Sequence, residues 1–124
     1  DVYKRQKLDI EKVFAVFKLF YCGEDADSFL PAAELAAEYT GRRILGDENM
    51  SDPRLYYLAA AETLCRVLEI KAARERLSLT RTGAVASESD YPRRIEFAEK
   101  LYRSYEALCV GLIRDDGFLF LRME

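Results

Sequence analysis

The chain has 124 residues, of which 50% are hydrophobic and 33% charged, so it has the size and composition of one ordinary globular domain. Its 19 Lys and Arg against 22 Asp and Glu leave a net charge of only -3, which gives no electrostatic signature of nucleic-acid or anionic-membrane binding. It contains no histidine, which excludes the commonest metal ligand and the Ser/His and Cys/His pairs of nucleophilic enzymes. Composition therefore favours a binding or structural protein over an enzyme.

The chain begins with a stretch that we set apart from the fold. Residues 1–6 (DVYKRQ) resemble translated sequencing-adaptor sequence, so we treat them as a non-native leader to a single helical domain over 7–124. Apolar residues at helical spacing then predict a first helix over 8–21, which Gly23 ends. Because its surface is apolar almost all round, we expect this helix to be central in the domain or covered by a partner.

A second helix is predicted over 28–40, with Asp27 as its N-cap and Gly41 as its end. Its alanine face, which includes Ala36 and Ala37, allows another helix to approach closely. We therefore expect this helix to lie against a long neighbour.

The clearest helix start in the chain is Asp52-Pro53, an N-cap followed by proline at the first helical position. We predict a third helix from there to about Glu75. Its predicted inner face carries Tyr57, Ala61, Leu64, Cys65, Leu68 and Ala72. Its predicted outer face carries Glu62, Arg66 and Glu69, which are spaced for ion pairs.

A fourth helix is predicted over 92–114, and two long helices of similar length predict an antiparallel pair. Its predicted inner face carries Ile95, Ala98, Leu101, Tyr102, Tyr105, Leu108, Cys109 and Leu112. Residues 77–90, rich in Thr and small side chains, predict an extended arm or hairpin, and the apolar run 118–121 predicts a short C-terminal strand. The expected fold is mainly α, a four-helix bundle-like domain with an arm and a terminal strand.

The sequence offers little for chemistry. Cys22, Cys65 and Cys109 lie on apolar helical stripes without metal-ligand spacing, which predicts buried thiols in a reducing cytoplasm. The acidic loop that starts at Asp25 has Ala36 where an EF-hand needs its bidentate acid, and no glycine-rich phosphate loop occurs. We therefore predict no catalytic, cofactor-binding or metal site, and no membrane-spanning segment.

Positive charge gathers near the predicted helix ends, where it suits the helix dipole and solvation. A second hypothesis is that the arginines and the arm form one contact surface for a neighbouring subunit, or line a path for nucleic acid. Together with apolar residues of the arm and tail, the candidate contact residues are Arg42, Arg43, Arg74, Arg76, Leu79, Arg81, Val85, Arg94, Phe118 and Phe120.

The stretch DADSFL (25–30) runs into AAEYTGR (36–42). Together they resemble the "D-D-x-L-L...A-A-x-x-Y-x-x-x-T-G" signature of tailed-phage head-tail connector proteins, the adaptor rings below the portal. Stretches at 52–61, 78–85 and 112–120 are similar to small prophage proteins that we associate with the same gene neighbourhood. The chain departs from the connector pattern where VFKLFY replaces a K-x-Y-L-R-I run and where RTGAV replaces an acidic A-G-D-V.

The resemblance implies a non-enzymatic subunit that forms a ring beneath the portal. Its partners would be other copies of itself, the portal, head-completion or tail proteins, and DNA that passes through the ring without sequence-specific binding. Its implied location is the bacterial host cytoplasm during assembly and then the virion neck. Two alternatives stay open: a small helical adaptor or regulator that binds a protein or peptide between the third and fourth helices, and a nucleic-acid-binding module.

Overall fold

The computed structural model describes residues 7–82 and 89–115. This part of the chain forms four α-helices: α1 (Ile10–Phe20), α2 (Leu30–Arg43), α3 (Pro53–Thr82) and α4 (Tyr91–Leu108). Short 3-10 turns over Ala26–Phe29 and Asp47–Asn49 precede α2 and α3. The prediction of a mainly α protein is confirmed.

The helix starts follow local capping chemistry. The Asp52 carboxylate accepts a hydrogen bond from the Arg54 N–H at 2.9 Å, and Pro53 begins α3, as the sequence predicts. The prediction for α2 is wrong, because Asp27 lies inside a 3-10 turn and α2 begins at Leu30. Gly41 does not end α2 either, and it is buried within the helix.

The two long helices differ from their predicted lengths in opposite directions. α3 continues through Thr82, so the predicted extended arm is wrong for 77–82, and the remainder of the arm at 83–88 lies outside the described residues. Ser and Thr cost a helix only about 0.5 kcal/mol each, and this stretch contains neither Gly nor Pro, so an established helix continues through it. α4 ends at Leu108, before its predicted end, and Gly111 follows with a φ of 90°.

The residues after α4 return to the end of α2. Ile113 forms an isolated antiparallel bridge with Ile44, and the Leu45 N–H donates to the Leu112 carbonyl at 2.8 Å. The Arg114 N–H donates to the Arg43 carbonyl at 2.7 Å. This pairing fixes the chain up to Asp115, whereas the predicted strand at 118–121 lies outside the described residues.

α3 is the central helix, and it contacts α1, α2 and α4. Its residues from Leu58 to Cys65 are all buried, so this part of α3 is covered on every side. The alanines of α2, including Ala36 and Ala37, are fully buried and let α2 approach α3 closely. We expected α1 to be central or covered by a partner, but it is amphipathic here, with Leu19 67% exposed.

α3 and α4 run antiparallel, as predicted. Arg54 at the start of α3 donates to the carbonyl of Leu108 at the end of α4, with 3.3 Å between the two atoms. Lys71, in the second half of α3, lines the same cleft as Arg94 near the start of α4. The helix pair therefore has two ends, one at Arg54 and Leu108 and the other at Lys71 and Arg94.

Candidate functional site

An open cleft of about 670 Å³ lies between the end of α1, the second half of α3 and the first half of α4. Its size falls within the range of roughly 300–1,000 Å³ that is common for ligand and peptide sites. Apolar side chains from α3 and α4 line it, namely Leu64, Leu68, Ala98 and Leu101. Phe97 also lines the cleft and is 69% exposed, although it is a large aromatic side chain. Exposed apolar area of this kind marks protein interaction sites and ligand-binding grooves.

The helical repeat explains why these residues share one surface. Leu64, Leu68 and Lys71 are spaced at i, i+4 and i+7, so they lie on one face of α3. Phe97 and Leu101 are four residues apart and lie on one face of α4. Because the two helices are antiparallel, these faces meet along the cleft.

One wall of the cleft carries a hydrogen-bonded cluster of Tyr21, Asp25 and Lys71. The Lys71 ammonium donates to the Tyr21 hydroxyl at 2.5 Å and lies 3.2 Å from the Asp25 carboxylate, and the Tyr21 hydroxyl donates to Asp25. Burial and the bond to Asp25 raise the pKa of Tyr21, while the same bond lowers the pKa of Asp25. The bond to Tyr21 raises the pKa of Lys71. The phenol therefore stays protonated and the lysine charged at neutral pH, so the cluster tethers α3 to the chain that follows α1.

The other wall carries Asp90, Arg93 and Arg94 from the start of α4. Arg94 pairs with Asp90 at 2.8 Å. Within the described part of the chain, Arg93 makes neither a hydrogen bond nor an ion pair, and it is exposed. The rim of the cleft therefore offers one uncompensated positive charge beside the exposed ring of Phe97.

A second exposed apolar area lies at the opposite end of the helix pair. We call this area, made of Leu45, Leu108 and Val110, the end patch; Leu108 is 55% and Val110 80% exposed. The prediction that Leu108 lies inside is wrong, because α4 ends at this residue and the chain turns away. The cleft and the end patch are thus separate surfaces at the two ends of α3 and α4.

Arg43 is not on the surface on which we predicted a partner contact. Its side chain is 2% exposed and donates to the Tyr102 hydroxyl and to the Glu106 carboxylate, both at 2.9 Å. It also donates to the Arg114 carbonyl at 3.0 Å. Burial raises the pKa of Tyr102, so this phenol is a neutral partner. Arg43 therefore joins α2, α4 and the segment after α4, and its role is internal.

The other predicted contact residues are divided between the two ends. Arg42 is exposed, pairs with Glu38 and lies near Arg114 at the end-patch side. Arg74 is exposed, and its guanidinium lies 5.4 Å from the centre of the Phe29 ring. Arg76 is also exposed on α3, and Arg94 lines the cleft. Leu79 and Arg81 belong to α3, but their side chains lie outside the described residues, as do Val85, Phe118 and Phe120 entirely. Among the described side chains of this set, Arg42 thus lies at one end of the helix pair and Arg94 at the other.

A buried carboxyl group on α3 was missed by sequence reasoning. Glu62, predicted on the outer face, is 1% exposed because α3 is covered on all sides. Its Oε2 accepts from Arg66 Nε at 2.6 Å, whereas its Oε1 has no partner in the described part of the chain. Burial raises the pKa of Glu62 to about 7, against the lowering effect of Arg66. The one available signal was its position as the single charged residue between Leu55 and Cys65.

The described residues contain no group of three or more Cys, Asp and Glu placed to hold a metal ion. Cys65 and Cys109 are buried, as predicted. The prediction for Cys22 is wrong: it is exposed and lines the cleft, because α1 ends at Phe20. Within 7–82 and 89–115, the helices are too short or too polar to cross a bilayer.

The chain was compared with known families, sequences and folds. No protein-family model matches it, and neither a curated protein nor a solved structure shows significant similarity to it. The arrangement of the described residues, an apolar cleft and exposed apolar residues at the other end of α3 and α4, is therefore the basis on which a function can be proposed.

Proposed function

We propose that the chain is a non-enzymatic subunit of a phage or prophage head-tail connector, which assembles into a ring beneath the portal. The observation that carries the proposal is the pair of exposed apolar surfaces at opposite ends of α3 and α4. A subunit in a cyclic ring contacts its two neighbours through two different surfaces, so each subunit must present both. An enzyme or a simple monomer has no such requirement.

The cleft and the end patch lie apart on the molecule, as the two surfaces of a head-to-tail contact must. Phe97 and Leu108 are eleven residues apart on α4, which corresponds to about 16 Å at a rise of about 1.5 Å per residue. A single self-complementary patch would instead favour a closed dimer. The spacing therefore supports a repeated head-to-tail contact between subunits.

The resemblance to connector proteins supports the same proposal. The stretch 25–30 forms the 3-10 turn and the start of α2, and the stretch 36–42 forms the second half of α2. Ala36, Ala37 and Thr40 in the second stretch are buried between helices. The resemblance thus concerns residues that pack the bundle. The proposed partners, which are the portal, head-completion and tail proteins and the passing DNA, are inferred from this resemblance, as is the proposed location in the virion neck.

Electron microscopy and native mass spectrometry of the purified chain test the proposal. We expect a closed ring, either alone at high concentration or on a portal ring from the same phage or prophage. A Leu108→Asp and Val110→Asp double variant should fail to assemble, because it places charge in the end patch. Leu35→Asp is the matched control, since Leu35 is exposed on α2 and belongs to neither surface, and it should assemble normally. A chain that stays monomeric and does not bind the portal contradicts the proposal.

A second candidate function is a small helical adaptor or regulator that binds a protein or peptide segment. The cleft between α3 and α4 favours it, because its apolar lining and basic rim fit an amphipathic segment. The two candidates differ in assembly state. The adaptor is supported if the chain stays monomeric with and without the portal and selected peptides bind it in a way that Phe97→Asp abolishes and Leu35→Asp does not.

A further inference from the structure

We infer that the cleft receives the acidic and apolar segment 115–121 of a neighbouring copy of this chain. The inference rests on the proposed function and adds to it the segment and the receiving surface. The segment reads DDGFLFL, two carboxylates followed by four large apolar residues. The cleft is complementary to this segment in polarity and charge, because it has an apolar lining and a basic rim.

The charges of the two surfaces are complementary. Arg93 at the rim has no partner within the described residues, whereas Lys71 and Arg94 around the same opening are already paired with Asp25 and Asp90. Asp115 or Asp116 would pair with Arg93 while the following side chains enter the apolar part of the cleft. Complementary rim charges set the orientation and the rate of such a contact more than its affinity.

The apolar side chains of the segment and of the cleft can bury one another. Phe97 leaves most of its ring in solvent, next to Leu101, which is partly buried, and Leu68, which forms part of the core. Covering such a ring and inserting Phe118 or Phe120 removes apolar area from water on both sides, which is the main source of association energy. The cleft volume of about 670 Å³ is large enough for several side chains of one short segment.

The position of Asp115 favours a neighbouring cleft over the chain's own cleft as the receiving surface. Asp115 lies beside Arg103 and Glu106, in a hollow on α4. At about 100° per residue, this face of α4 is opposite to the face that carries Phe97 and Leu101. From Asp115, Phe118 can reach about 10 Å and Phe120 about 17 Å, so Phe118 is too close to Asp115 to pass around α4 into its own cleft, and Phe120 could do so only with a fully extended segment. The segment leaves the end-patch side of one copy and meets the cleft of the next.

Disulfide trapping in the full chain tests the inference, because Cys22 lies in the cleft and is exposed while Cys65 and Cys109 are buried. Under mild oxidation, alone at high concentration and with the portal ring, a Leu119→Cys variant should form a ladder of chains linked by disulfides. Mixing isotope-labelled and unlabelled chains should give hybrid peptides in mass spectrometry. Cys22→Ser in the same variant should remove the ladder.

The matched control is Glu48→Cys, which places an exposed thiol in the turn before α3. Linkage of Leu119→Cys to Cys22 that is no faster than linkage of Glu48→Cys overturns the inference, and so does linkage within one chain. Arg93→Glu should slow the trapping by about two- to fivefold, the size of an exposed charge pair, and Asp116→Lys in that background should restore the rate. If rings form but Leu119→Cys is not trapped by Cys22, this contact is refuted and the connector proposal stands. If the disulfide forms between chains but no ring assembles, the connector proposal is refuted and the contact stands.

Discussion

We predict that the buried carboxyl of Glu62 makes the stability of this protein fall as the pH rises from 5 to 8. Burial raises its pKa from 4.5 to about 7, so the folded chain binds this proton more tightly than the unfolded chain does. Between the two values the folded state holds more protons, and the free energy of unfolding therefore decreases with rising pH. The stabilisation is largest below pH 4.5 and is lost by the time the pH passes 7.

The size of the effect follows from the two pKa values. The difference between 4.5 and about 7 corresponds to roughly 3 kcal/mol, most of which falls between pH 5 and pH 8. This is a large part of the ~5–15 kcal/mol that holds a small domain folded. The chain has no histidine, whose titration would otherwise obscure this window. Asp25 and Asp52 have lowered pKa values, so their contributions are lost only when the pH falls below 3.8.

Urea unfolding followed by circular dichroism at pH 5, 6, 7 and 8 measures the effect. The unmodified chain should lose about 2.5 kcal/mol of unfolding free energy across this range, and Glu62→Gln should be nearly independent of pH. Glu96→Gln removes a carboxylate from an exposed position on α4 and should keep the pH dependence of the unmodified chain. If Glu62→Gln keeps the same slope, the carboxyl is not the titrating group and the reasoning is wrong.

Two further predictions concern stability. Arg43→Met should lower the free energy of unfolding by about 3–5 kcal/mol in calorimetry, because it leaves buried polar partners unpaired. The exposed control Arg42→Met should cost less than about 1 kcal/mol. Equal effects of the two substitutions would contradict the internal role of Arg43. Gly111→Ala should cost about 1–2 kcal/mol in urea unfolding, since its φ is 90° and the space around it is open, so backbone strain is the whole effect. A neutral substitution there would show that the turn can relax.

The ends of α3 and α4 show which helix boundaries can be predicted from the sequence and which cannot. The start of α3 was predictable because Asp52 and Pro53 act on their own neighbours along the chain. Its end was not, because Ser and Thr disfavour a helix only slightly, and tertiary contacts decide whether a helix continues. The path of the chain after α4 was not predictable either, because Ile113 pairs with Ile44, which is distant in sequence.

The sequence predicted which types of residue form the candidate site, but it did not predict where each of them lies. The sequence indicated a groove between the third and fourth helices as one alternative, and it indicated arginines as contact residues. It could not show that Arg94 lines the cleft while Arg42 lies at the other end of the bundle. It also placed Cys22 in the interior, because helical spacing alone does not show where α1 ends.

By itself, the sequence determined that this protein is helical, where α3 begins, that Cys65 and Cys109 are buried, and that α2 has a close-packing alanine face. These properties depend on the helical period and on neighbours within one turn. The tertiary structure alone decided that α3 is central, and hence that Glu62 is buried and titrates near neutral pH. It also decided that Arg43 is internal, because its partners lie 59 to 71 residues away along the chain. Burial and charge pairing sum over contacts distant in sequence, which a local pattern does not contain.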